Sequence, residues 1–126
     1  MKQQPRMRVS GTNLDGPDAH VLADFYRRML GWDIAQDQPD DVVLSPPGGG
    51  PGLSFQTERQ YVRPTWPASP GDQQMMMHLE IEVDDLEAAV VHAVAEGATL
   101  AEYQPQDDVR VCLDPAGHPF CLWMAT

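Results

Sequence analysis

Basic residues are scarce in this 126-residue sequence: 8 Lys and Arg stand against 19 Asp and Glu, a formal net charge of −11. Such a field repels phosphate backbones and anionic headgroups, which argues against nucleic-acid and membrane-surface partners. Solubility is the plain use of that charge. Cysteine is nearly absent. Cys112 and Cys121 lack CxxC or zinc-site spacing and are expected to be reduced. No apolar run approaches the roughly 20 residues of a membrane helix, and Met1-Lys2-Gln3-Gln4-Pro5 leads into no signal-peptide core. A cytoplasmic location is the default expectation. What is present is an ordinary apolar content, 42%, enough for one domain with a real core.

Punctuation divides the chain. Asp15-Gly16-Pro17-Asp18 is a turn into a helix, with Pro17 suited to the first turn and Asp18 to the positive dipole end. Val21, Leu22, Phe25, Met29 and Leu30 recur at helical spacing until Gly31 closes the helix. Around it stand a weak strand over 7–14 and short strands over 32–34, 41–44 and 53–56. Residues 57–74 hold Pro64, Pro67 and Pro70 and read as a long surface connection. Trp66 within it is either a pin fastening the loop or a lid over a pocket. A strong strand over 75–83 follows. Then comes a helix with Asp84 and Glu87 as a capping-box-like pair, ended by Gly97. Strands over 98–102, 109–113 and 120–124 complete the chain, the last entered through the turn Asp114-Pro115-Ala116-Gly117.

The order strand, helix, three strands therefore occurs twice, and residues register at a spacing of 67: Asp18 with Asp85, Val42 with Val109, Leu44 with Val111, Gly50 with Gly117, Ser54 with Cys121. The fold expected is α+β, two tandem βαβββ modules forming a curved mixed sheet around a cleft. The first spans about 6–56 and the second about 75–124 of a single domain over 1–126. Strand alternation puts Leu79, Ile81, Val83, Val111, Leu113, Phe120 and Leu122 on a helix-covered face. His78, Glu80, Glu82, Arg110, Cys112, Cys121 and Trp123 take the other, with Gln56 and Ser54 among their counterparts in the first module. Arg110 is expected to pair with Glu80 or Glu82, since charges in a cavity need partners. If Leu113 faces Phe120, Cys112 stands opposite Cys121. The plain alternative is a solvated face without a task. His118 is expected to hold the turn.

Pro17-Asp18 with Phe25-Tyr26 and Leu30-Gly31-Trp32, the run His78 to Asp85, and Asp114 to Leu122 carry a resemblance to a known family. In their order and spacing they resemble the vicinal oxygen chelate superfamily, which includes glyoxalase I, bleomycin-resistance proteins and extradiol dioxygenases. With Pro64-Thr65-Trp66-Pro67, the chain is similar to the glyoxalase-like domain branch. The resemblance implies a homodimer and a small-molecule ligand in the cleft. It also implies metal-ligand positions at Gly11, Ser54, His78 and Cys121, of which only His78 carries the usual ligand type. The expectation is therefore a small-molecule binding protein with no catalytic metal and no cofactor, its cleft lined by His78, Trp66, Gln56, Glu80, Arg110, Cys121 and Trp123. A metal-dependent glyoxalase-type lyase or isomerase is the alternative, and a non-catalytic interaction domain the second.

Overall fold

Asp18 and Asp85 set the frame. Each holds an extended backbone, and its side chain accepts amide protons at the start of a helix: Asp18 from His20 and Val21, Asp85 from Ala88. Those are donors that a helix N-terminus otherwise leaves without partners. The helices are α1 (Ala19–Leu30) and α2 (Leu86–Glu96). Gly31, at φ +73, closes α1 by donating its N–H to the Arg27 carbonyl, a conformation that suits glycine. The second cap is Asp85 where Asp84 was expected, and Pro17 precedes its cap residue instead of opening the first turn.

The computed structural model describes residues 4–125. Its strands are β1 (Gly11–Gly16), β2 (Asp33–Gln38), β3 (Asp41–Ser45), β4 (Gly52–Thr57), β5 (Leu79–Val83), β6 (Thr99–Leu100), β7 (Val109–Leu113) and β8 (Pro119–Met124). The architecture is α+β with two tandem βαβββ modules. The strands divide into two four-stranded sheets, ordered β1-β4-β3-β2 and β5-β8-β7-β6. In both, the first strand of the module runs parallel to the last and the remaining pairs are antiparallel. At Gly52 the sheet needs glycine: an added Cβ would stand 2.5 Å from the Leu44 carbonyl oxygen.

Three strands are shorter than their apolar content suggests. The first begins only at Gly11. Of the stretch 75–83, only Leu79–Val83 pairs, because Met76 takes φ +61 and the Met77 N–H turns back to the Met75 carbonyl. β6 stops after two residues because Gln104 replaces the rest of it. The Gln104 side-chain amide donates to the Ala101 and Val111 carbonyls and accepts the Val111 N–H, all at 2.8–2.9 Å. A side-chain amide offers the same donor and acceptor as a peptide, so the β7 edge is satisfied without more strand.

One hydrophobic core joins the modules, and α1 supplies its centre. Leu22, Phe25 and Tyr26 meet Val42, Leu44, Leu53 and Phe55 from the first sheet and Cys112, Phe120 and Leu122 from the second. The Tyr26 ring stacks on Phe55 at 5.4 Å and meets Phe120 edge-on at 6.1 Å. Burying each such ring contributes about 1.5–3 kcal/mol. Arg28 on α1 pairs with Glu96 on α2 at 2.9 Å, and the His92 ring bonds the Met29 carbonyl at 3.0 Å.

The alternation of β7 is corrected. Leu113 pairs with Pro119, not Phe120, so Cys112 stands opposite Phe120 and Cys121 opposite Val111. The turn closes one residue early because Asp114 holds it from inside. Asp114 Oδ1 accepts the Ala116 and His118 N–H groups, and the Asp114 N–H donates to the His118 carbonyl. A one-residue slip exchanges the two faces of a strand. Cys112 therefore lies in the core, fully buried, and Arg110 points to the α2 side beside Leu86, Val90 and Leu100. Val42 and Leu44 thus match Arg110 and Cys112 in space, one residue out of phase with the sequence repeat.

Candidate functional site

On the face turned away from the helices, β5 and β8 bring chemistry together. Glu80 and Cys121 are in register on these parallel strands, and His78 precedes Glu80 by two residues and so shares its face. The His78 Nε2 bonds the Glu80 carboxylate, and one ligand atom from each of His78, Glu80 and Cys121 lies within 4.8 Å of the others. Burial pushes the Cys121 thiol up to about 11, helped by its hydrogen bond to Glu80 and that carboxylate's charge. At neutral pH it is a protonated thiol and a poor nucleophile. On the corresponding face of the first sheet, Ser54 Oγ donates to Asn13 Oδ1 at 3.0 Å and Asn13 Nδ2 donates to Asp15 Oδ1 at 2.7 Å.

The other expected site residues disperse. Trp123 shares the cluster's face, in register with Glu82. Gln56 belongs to the other sheet, opposite Asp15 and Asp41. Trp66 lies in the Pro-rich connection, its ring 5.6 Å from that of Tyr103. Arg110 does not reach the cluster. Its face is the helix side, its guanidinium donates to the Gln106 and Val109 carbonyls, and the expected pair with Glu80 or Glu82 is not formed. A concavity of about 870 Å³ also lies elsewhere, on the helix side between Met29 and Leu30 of α1 and Ala88 and His92 of α2.

Sequence reasoning placed His118 in holding the last turn, as found, but missed Tyr26 as a partner of Asp114. Its side chain is fully buried and accepts four hydrogen bonds. Two are the turn amides described above. The others come from the Tyr26 hydroxyl at 2.7 Å and the His118 Nδ1 at 2.8 Å. The connection is strapped to the same turn. Tyr61 donates its hydroxyl proton to the Ala116 carbonyl at 2.7 Å, and Arg63 donates to the Pro115 carbonyl at 3.0 Å. Tyr61 and Arg63 thus pin the connection to the turn. A histidine four residues after the turn's aspartate was the available signal.

The superfamily's divalent metal is held by His, Gln or Glu side chains drawn from both modules. That set does not fit here. The first module offers Gly11, which has no side chain to coordinate, and Ser54, whose hydroxyl is already given to Asn13. The second module alone supplies an N, O, S trio, a chemistry suited to zinc and not to a hard oxygen-ligated ion.

No helix among the described residues is long and apolar enough to cross a membrane. No curated protein matches the chain. Among solved structures, it resembles a glyoxalase/bleomycin resistance protein/dioxygenase family enzyme from Burkholderia phytofirmans. That likeness has TM-score 0.69 and 18% identity, and covers 95% of this chain and 100% of that one. The fosfomycin resistance protein FosX from Mesorhizobium loti superposes with TM-score 0.69 at 10% identity, covering 97% and 95%. An antibiotic-binding protein from a Streptomyces species does so with TM-score 0.60 at 18% identity, covering 98% and 100%. At these identities the structures speak for the fold. The family model of the glyoxalase-like domain matches residues 11–123, and the chain belongs to that family, in the vicinal oxygen chelate superfamily.

Proposed function

We propose that this chain binds a small organic molecule on the polar faces of its two sheets, without a catalytic metal. The observation that carries the reading is the one-sided cluster. His78, Glu80 and Cys121 converge on β5 and β8, while the matching places in the first module are Gly11 and a self-satisfied Ser54. Polar groups on an open face with Trp123 beside them suit recognition of a ligand by hydrogen bonds and ring contact. The excess of carboxylates favours neutral or cationic ligands. That two similar structures are an antibiotic-binding and a fosfomycin resistance protein supports the same reading by analogy. A homodimer belongs to it, since β1 and β5 each pair on one side only.

A thermal-shift screen of natural products and metabolites tests this. Stabilisers should appear, and His78→Ala should abolish their effect while leaving the ligand-free melting temperature nearly unchanged. A library that stabilises nothing, or stabilisers indifferent to His78→Ala, would refute it. The second reading, a metal-dependent lyase or isomerase, is favoured by the three donors within 4.8 Å. Elemental analysis of untagged protein purified without chelator decides between them. Stoichiometric zinc lost on His78→Ala supports the second reading.

A further inference from the structure

His118 differs from the other histidines in what its two nitrogens meet. Nδ1 lies 2.8 Å from Asp114 Oδ2, whose carboxylate has accepted a full complement of donors. A carboxylate so surrounded is an acceptor only, so Nδ1 carries a proton, and in the neutral ring Nε2 is then a bare lone pair. The Tyr61 hydroxyl oxygen stands 3.4 Å from it, but that hydroxyl has one proton and gives it to the Ala116 carbonyl at 2.7 Å. Burial, then the charge of Asp114, holds the Tyr61 phenol up at about 12, so it stays protonated and keeps that bond.

The ring is largely buried, 15% exposed, and borders a cavity of about 420 Å³ at the seam between the modules. Leu14, Val62, Pro64, Met75 and Met77 give the cavity an apolar wall, and Asn13, Asp15, Glu58 and Gln73 give it a polar one. This volume lies within the range of small-ligand sites. Thioether side chains beside an empty space favour a flat ring. The carboxylates of Asp15 and Glu58 oppose an anion.

We propose that this seam cavity is a second ligand site, in which His118 Nε2 accepts a hydrogen bond from the O–H of an uncharged, hydroxyl-bearing ring. The site uses none of His78, Glu80 and Cys121, although Asn13 and Asp15 of its lining also belong to the polar face of the first sheet. Asp114 is its positioning residue, because it fixes which nitrogen bears the proton.

The test uses phenol as the probe and toluene as its counterpart without a donor, added to the full-length protein at neutral pH. The readout is the pair of His118 ring nitrogens, observed by long-range proton–nitrogen correlation. The wild-type spectrum should show a protonated Nδ1 and a pyridine-like Nε2, and phenol should shift the Nε2 signal saturably while toluene leaves it in place. Asp114→Asn presents an N–H to the ring and should move the imidazole proton to Nε2, weakening phenol at least several-fold. A wild-type Nε2 already protonated, or unmoved throughout the phenol titration, overturns the proposal whether or not the variants fold.

Discussion

Replacing Asp114 by alanine should be among the most damaging single changes in this chain, and the network around it sets the size of the effect. The side chain is fully buried and accepts from Tyr26, His118 Nδ1 and the amides of Ala116 and His118. Removing it leaves four donors without their acceptor in a space that admits one or two waters at best. Breaking a buried, charge-centred network of this kind costs about 3–5 kcal/mol, against a total stability of about 5–15 kcal/mol. For a chain of 126 residues, each kcal/mol lowers the melting temperature by roughly 4 °C. The expected loss is therefore about 12–20 °C.

Urea unfolding of Asp114→Ala, Tyr26→Phe and the double variant gives the assay. Tyr26→Phe alone deletes one hydrogen bond to a charged acceptor and should cost about 1.5–3 kcal/mol. In the Asp114→Ala background the hydroxyl has already lost its acceptor, so the same change should cost almost nothing, and the difference is the coupling energy. A loss below about 1 kcal/mol for Asp114→Ala refutes the reasoning. So does an equal cost for Tyr26→Phe in both backgrounds, because the bond across the modules would then not be what joins them.

Alkaline stability follows from the thiols and Tyr61. Burial raises Cys112 from 9.0 to about 11, and Tyr61 is raised to about 12. A pKa raised in the folded state stabilises fully below the unfolded value and is lost as pH rises through the folded one. Stability should thus hold to about pH 8.5 and fall from about pH 9 upward. The fully buried Cys112 contributes up to about 1.4 kcal/mol per pH unit between 9 and 11. Cys112→Val should flatten that part of the profile in denaturant melts across pH, and an unchanged slope would contradict the assignment. Gly117 sits at φ +92 with Arg63 folded over it, so an alanine Cβ there would stand 2.5 Å from Arg63 Cγ. Gly117→Ala should cost about 1–3 kcal/mol. Adding Arg63→Ala should recover the collision but not the backbone strain, which equilibrium unfolding of the two variants resolves.

Much of the fold was legible because its signals are local. Asp18 and Asp85, Gly31 and Gly97, and the apolar stripe through Leu22 and Phe25 state each helix within a few residues of itself. Long-range pairing is less legible. Val-Arg-Val-Cys-Leu alternates cleanly, and alternation alone assigned Arg110 and Cys112 to the open face. The deciding event was where the Asp114 turn closed, which depends on a carboxylate buried beneath it. Met75 to His78 misled in the same way. Their side chains favour a strand, but the backbone turns at Met76, and Met75 to Met77 became one wall of the seam cavity. Glu80 and Cys121 were correctly set on one face because parallel neighbours β5 and β8 each alternate without a slip.

The two modules have divided their labour along the line of that slip. The first contributes apolar mass to the core through Phe25, Tyr26 and Phe55, and Asn13, Asp15, Ser54 and Gln56 to the open face. The second carries the His78, Glu80 and Cys121 cluster and, in its last turn, Asp114 with His118. A metal site drawn equally from both halves needs matching donors at matching places, and the repeat no longer provides them. What it provides is a single strand pair, β5 with β8, whose face holds the cluster, with the turn from β7 into β8 fixed by Tyr26 of the other module. Any change that loosens Tyr26 from Asp114 should therefore disturb the His118 turn first and the His78 cluster second. The turn touches that bond directly, whereas the cluster is reached only through β8.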